Sequence, residues 1–227
     1  PLALAAAATL ALTACGGPGL PQLSAAQPGT LQSCTDLAAK ATLSNTTIAS
    51  TALVPAGGLA VAGAAPVPEH CLVKGEMNRR TSPVDGKSYA IGFEMRLPTA
   101  WNGRYFYQAN GGIDGSVVTA TGPTSGGAPL SNALTMGFAV ISSDAGHQPP
   151  APFFGLDPQA RLDYGYAAVG SLTPMAKNLI KAAYGRAPDR SYIGGCSNGG
   201  RHALVAAARY GDQYDGFLAG APGMHLP

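Results

Sequence analysis

Apolar and polar residues alternate over positions 71–76 and again over 89–97, with the turn-forming Pro83-Val84-Asp85-Gly86 between the two runs. A period of two on both sides of such a turn predicts a β-hairpin. Residues 98–103 turn the chain, and the aromatic run 104–108 reads as a buried strand that empties into Asn110-Gly111-Gly112-Ile113-Asp114-Gly115. Residues 129–136 predict a short helix. The unbroken apolar run 137–142 predicts a strand covered on both faces, ending in Asp144-Ala145-Gly146-His147.

Between 157 and 184 the period changes to that of a helix, with Leu162, Tyr166, Val169, Leu172, Met175, Leu179 and Ile180 on the apolar stripe. Gly185 is the expected stop, and Pro174 the expected kink or second start. A short strand at 191–193, an Ala-rich helix at 199–210 and a strand at 214–219 follow. This alternation predicts a parallel sheet with covering helices, an α/β fold. Upstream the pattern is weaker: a short helix over 36–43, then loop or an edge strand.

Composition narrows the function classes. At 46% hydrophobic, the 227 residues can build a packed core, and the length suits one domain or one and a half. A formal charge of +2 with no Lys/Arg-rich run excludes a nucleic-acid binder working by bulk charge. The 31 glycines and 19 prolines have no period, which excludes collagen-like and repeat architectures.

The first residues read as targeting rather than fold. The Ala/Leu-rich run before Thr13-Ala14-Cys15 looks like the end of a secretory signal peptide, too short to span a bilayer. With no Met and no basic region ahead of it, the chain is expected to begin inside that signal. Small residues before Cys15 suit a lipoprotein peptidase, making Cys15 a candidate lipidation site; the alternative is an ordinary cleavable signal with an incidental cysteine. The expected divisions are a truncated signal at 1–15, a flexible tether at 16–30, an N-terminal segment at 31–75 closed by a disulfide, and a partial catalytic domain at 76–227. In an exported, oxidising setting Cys34 and Cys71 can bridge, which leaves Cys196 as a free thiol or one missing its partner.

The chemistry concentrates at Gly194-Gly195-Cys196-Ser197-Asn198-Gly199-Gly200, between an apolar strand and a helix. Gly-x-Ser-x-Gly in that context is a nucleophile elbow, with Ser197 held in a strained backbone and its hydroxyl projecting. The amide of Asn198 is one candidate oxyanion donor, and Gly112, on the loop after the 104–108 strand, the second. A serine nucleophile needs a histidine base and an orienting acid, in the order Ser, Asp/Glu, His for this fold. His202 lies on the elbow helix and His225 close after the next strand, so both read as structural or rim residues; Asp144 and His147 precede the serine. The base and acid are expected outside this chain.

The motif Gly195-Cys196-Ser197-Asn198-Gly199-Gly200-Arg201 is joined by Tyr214-Asp215-Gly216, Ala219-Gly220-Ala221-Pro222, Asn102-Gly103-Arg104, Gly111-Gly112 and Ser143-Asp144-Ala145-Gly146-His147. Together these resemble the tannase/feruloyl esterase family of α/β-hydrolases over roughly residues 66–227. Pro68-Glu69-His70-Cys71 and the stretch from Phe154 to Gly165 look most like its mono(2-hydroxyethyl) terephthalate hydrolase branch.

The resemblance implies the N-terminal part of an α/β-hydrolase fold, with the lid domain and last strands absent. It implies that Cys34 pairs with Cys71, and that Cys196 pairs with a cysteine after the catalytic histidine, beyond residue 227. No metal or cofactor site is implied within the chain, and a structural calcium belongs to the absent lid. The position of Asn198 varies in the family.

The favoured function is an exported serine carboxylic ester hydrolase, periplasmic, outer-membrane-anchored or secreted. Its substrates would be small esters of phenolic, galloyl or terephthalate-like acids, cleaved through an acyl-enzyme. As a fragment without its Asp and His, the chain alone would be inactive. No nucleic-acid partner is expected, and membrane contact only through a lipid on Cys15. A non-catalytic surface lipoprotein using the fold as a binding scaffold is the alternative, and a peptidase or lipase a third reading.

Overall fold

A computed structural model describes residues 24–123 and 132–224. In chain order its elements are β1 (Gly29–Thr30), α1 (Leu37–Lys40), β2 (Thr46–Val54), β3 (His70–Thr81), β4 (Ser88–Pro98), β5 (Ala100–Trp101), β6 (Arg104–Gln108) and β7 (Ala139–Ser143). They continue with α2 (Pro158–Leu162), α3 (Ala168–Tyr184), β8 (Arg190–Cys196), α4 (Asn198–Arg209) and β9 (Gly216–Gly220).

Seven strands form one sheet in the order β2-β3-β4-β7-β6-β8-β9. The predicted hairpin is β3 with β4, and the antiparallel half of the sheet adds β2 to β3 and β7 to β4. The predicted parallel sheet is the other half, β7 with β6, β6 with β8 and β8 with β9. The sheet is therefore evenly mixed rather than mostly parallel. β3 runs unbroken across residues 75 and 76, so the expected division at that point falls inside one strand.

Alternation along β6 explains the two sides of the core. Tyr105 and Tyr107 face the cluster that includes Phe93, Met95, Trp101, Ile141, Leu172 and Leu179, while Phe106 faces a smaller one with Val140 and Leu134. α3 buries Val169, Leu172, Ala176, Leu179, Ile180 and Ala183, a three-to-four spacing that lays one face on the larger cluster.

Three expectations need correction. The helix passes through Pro174 without a break; the irregularity is a π-helical turn at Asp163–Ala167, between α2 and α3. Residues 133–137 form turns, and the rest of the helix expected from 129 lies outside the described residues. The stretch 24–30 is not a free tether. Gln27 N donates to Asp189 Oδ2 at 2.7 Å, Arg190 donates to Ser24 O at 2.7 Å, and β1 pairs with β5. Its Gly/Pro composition suggested flexibility, but its backbone groups have partners in the fold. Of the loop and the edge strand expected after α1, the structure has the strand, the nine-residue β2 at the sheet edge. The expected signal peptide and Cys15 lie outside the described residues. No helix among the described residues is long and apolar enough to cross a membrane.

Cys34 and Cys71 form a disulfide with Cα atoms 5.4 Å apart, joining the turn before α1 to β3 across a sequence separation of 37. Closing a loop of this length contributes about 4 kcal/mol in the chain-entropy treatment. The Cys34→Ser/Cys71→Ser variant is expected to unfold at clearly lower denaturant, with a loss of about 3–4 kcal/mol. An unchanged midpoint would show the bridge to be idle.

Candidate active site

The strand order brings two loops together. From β6 the chain leaves toward β7 on one side; from its neighbour β8 it leaves through α4 toward β9 on the other. The carboxyl ends of β6 and β8 therefore meet at a topological switch point, the usual place for a ligand in an open α/β sheet. Asn110-Gly111-Gly112 emerges on one side of it and Ser197 on the other.

Ser197 has φ 58° and ψ −121°, a backbone conformation that a residue with a side chain adopts only under strain. It occupies the N-cap position of α4, where a serine ordinarily turns its hydroxyl onto the helix, yet it makes no side-chain capping bond. Its backbone is held instead: Ser197 N donates to Gly220 O at 3.0 Å, and Arg201 N and Gly223 N donate to Ser197 O at 3.1 and 3.0 Å. Ser197 and Cys196 are exposed, while Asn198, Gly199 and Gly200 are buried.

Sterics explain the glycines. A Cβ on Gly195 would lie 2.2 Å from Ala109 O and 2.8 Å from Gly199 Cα, and one on Gly199 would lie 2.2 Å from the same Ala109 O. The turn is wedged against the end of β6, with Ala109 N donating to Gly194 O at 2.9 Å.

The facing loop is closely placed. A Cβ on Gly111 would sit 3.5 Å from Cys196 O, so this residue lies against the elbow. Gly112 follows at φ 66° with open space around it. Asn110 anchors the loop by donating to Ser142 Oγ at 3.0 Å and Ser143 O at 2.8 Å. Asn198 is the first residue of α4, a position where the backbone N–H has no partner within the helix. The loop that carries Gly112 thus lies, through Gly111, against the turn that carries Ser197 and Asn198.

The side chain of Asn198 points elsewhere. Its Nδ2 donates to the buried Asp114 Oδ2 at 2.7 Å, and its Oδ1 accepts from Arg201 Nε at 2.6 Å and from Tyr164 Oη at 3.3 Å. His202 Nε2 lies 2.8 Å from Asp114 Oδ2, which places this buried imidazole in a structural contact and away from the serine. Sequence reasoning missed Asp114, Arg201 and Tyr164. The available signal was an acid two residues beyond a Gly-Gly loop, on a chain with only 12 carboxylate side chains.

Asp144 and His147, at the end of β7, are also engaged. Asp144 Oδ1 accepts from Gly92 N and Gly146 N, each at 2.9 Å, and Oδ2 from Gln148 Nε2 at 2.8 Å. Burial nevertheless pushes its carboxyl up to about 6. His147 is buried and stacked on Phe154 at 3.8 Å between ring centroids, and burial pulls its pKa down. Both line a cleft of about 190 Å³ with Glu76, Arg79 and Tyr89, none of them part of the elbow. His70 bridges Pro68 O at 2.7 Å and Arg96 at 2.7 Å. Among the described residues no histidine is hydrogen-bonded to Ser197; His225 lies outside them.

Cys196 is free and exposed among the described residues. No described group of three His, Cys, Asp or Glu side chains could hold a metal ion.

Comparison with known proteins gives a consistent set. The family described as tannase and feruloyl esterase matches residues 71–226. Mono(2-hydroxyethyl) terephthalate hydrolase of Piscinibacter sakaiensis is 45% identical over 177 residues, 74% of this chain and 29% of that protein. Among solved structures, feruloyl esterase B from Aspergillus oryzae superposes with a TM-score of 0.69 at 27% identity, over 83% of this chain and 36% of that one. Tannin acyl hydrolase from Aspergillus niger gives 0.63 at 25% identity, over 87% and 38%. The chain thus spans well under half the length of these relatives.

Proposed function

The chain belongs to the tannase and feruloyl esterase family, and from that premise we propose that it carries the nucleophile and oxyanion hole of a serine carboxylic ester hydrolase acting on esters of aromatic acids. The observation that carries the reading is the strained Ser197 at the β8–α4 turn, its hydroxyl unspent on the helix it caps. A non-catalytic scaffold would have no use for that strain.

In the proposed reaction Ser197 Oγ attacks the ester carbonyl carbon while its proton passes to a histidine supplied from outside the described residues, itself oriented by an acid. The carbonyl oxygen becomes an oxyanion and accepts from the amides of Gly112 and Asn198, each such donor being worth about 10²–10³ in rate. Collapse breaks the C–O bond to the alcohol, which leaves with the proton. Water then attacks the acyl-serine by the same path in reverse, releasing the acid and restoring Ser197. Cys196, next to the nucleophile and open to solvent, is placed to bridge to the segment bearing the histidine. The Cys34–Cys71 disulfide supports export to an oxidising compartment, and a lipid on Cys15 is the proposed anchor.

The test is a substrate panel on the full-length enzyme: feruloyl, galloyl and terephthalate monoesters against a short aliphatic-acid ester of the same alcohol. At least one aromatic-acid ester is expected to exceed the aliphatic one in kcat/KM by about 100-fold. Equal rates across the panel would remove the aromatic-acid assignment.

A further inference from the structure

Asp114 has no part in the chemistry above, yet it is among the most constrained residues of the site. Its side chain is 2% exposed. Its backbone stands at φ 56°, the left-handed region, at the end of a turn in which its N–H approaches Gly111 O at 3.4 Å. One carboxylate oxygen, Oδ2, meets both Asn198 Nδ2 at 2.7 Å and His202 Nε2 at 2.8 Å. Those two residues are four apart on α4 and so share one face. The contact joins segments 84 residues apart in sequence, the oxyanion loop and the elbow helix.

The tie continues inward. Arg201 holds Asn198 Oδ1 and donates to the carbonyls of Tyr164 and Gly165 at 3.1 and 3.0 Å. These belong to the π-helical turn at Asp163–Ala167, where the backbone ladder is irregular. A buried carboxylate at a helix N-terminus, with a guanidinium nearby, makes charge-assisted bonds that are short and directional.

The two proposed oxyanion donors lie on different segments, Gly112 on the loop and Asn198 on the helix. Their spacing is set by whatever fastens loop to helix. We infer that Asp114 is a positioning residue: its carboxylate, through the Asn198 side chain, holds the Gly112 and Asn198 amides at the separation a single oxyanion requires. The inference rests on the serine-esterase reading above. Because the oxyanion develops in the tetrahedral intermediate and the transition states around it and is absent from the bound ester, the tie acts on kcat rather than on substrate binding.

The experiment uses the full-length enzyme and an aromatic-acid ester, with rates counted per serine that gives a burst of product. Asp114→Ala is expected to lower kcat by about 10²-fold with KM within about threefold of the parent. Asn198→Ala, which keeps the backbone N–H and removes the Asn198 contact while leaving His202 on Asp114, should lower kcat in the same way, by about 10-fold or more, with KM unmoved; it carries the test alone where Asp114→Ala does not fold. The double variant should be no slower than the slower single one, because the two side chains act as a unit. Asp114→Asn, which keeps an acceptor oxygen in place, should return kcat to within about tenfold of the parent. A purely structural aspartate would lower the titrated fraction and leave kcat per site unchanged, and that result overturns the inference, as do additive losses in the double variant or a change confined to KM. A Ser197→Ala control separates the two levels: if it retains activity, the esterase reading itself has failed.

Discussion

Ser197→Ala in the full-length enzyme is expected to lower kcat for ester hydrolysis by about 10⁴–10⁶-fold, with KM little moved and no burst of released alcohol. The size of the effect follows from what the hydroxyl is asked to do. Without it no acyl-enzyme forms, and catalysis falls to what the oxyanion donors and substrate positioning achieve with water as nucleophile. The variant should also relieve nothing in the backbone, because alanine has the same Cβ and the φ of 58° is imposed by the bonds to Gly220, Arg201 and Gly223. Its melting temperature should therefore stay close to the parent value, which separates chemistry from folding. More than a tenth of parental kcat in a folded Ser197→Ala protein would remove the serine from the mechanism.

The elbow was legible in the sequence because every part of its signal is local. A strand, a glycine-flanked serine and a helix stand within twenty residues, and each glycine has a steric reason visible at the same turn. The β3–β4 hairpin was legible for the same reason, with its period of two on both sides of a Pro-Val-Asp-Gly turn. What did not show locally was misread. The π-helical turn at Asp163–Ala167 keeps a helical hydrophobic pattern, so the proline eleven residues beyond its start attracted the expected kink instead. Residues 24–30 are tied by Asp189, Arg190 and β5, partners that no window of sequence contains.

Asp114 is the clearest case of this difference. Its place two residues beyond a Gly-Gly loop is a weak local cue, and its partners Asn198 and His202 lie on a helix that the sheet topology alone brings close. His202 reads as a structural or rim residue from its position on the elbow helix, and its burial and contact with Asp114 are visible only in three dimensions. Candidate oxyanion donors can be proposed from a fold pattern. The side chains that space them cannot, because they are chosen by packing between segments and leave no periodic trace.

The elbow also predicts a large effect at a residue that touches no substrate. Gly195→Ala would place a methyl group 2.2 Å from Ala109 O and 2.8 Å from the C and Cα atoms of Gly199. All of these are backbone atoms, so no flexible side chain can swing away, and either β8 or the start of α4 must move. Ala109 N is bonded to Gly194 O and Ser197 N to Gly220 O, so displacement of the turn breaks hydrogen bonds at the ends of both β6 and β9. The expected cost is about 3 kcal/mol or more, seen as lower soluble yield and an earlier thermal transition. Protein that does fold should lose activity per molecule by about 10²-fold or more, since a shift of 1 Å at the nucleophile is enough for that. Gly155→Ala is the matched control: its Cβ would meet nothing within 4 Å, and its midpoint and rate should match the parent. A Gly195→Ala protein as stable and as active as that control would mean that the strand and helix of the elbow are not held in this contact.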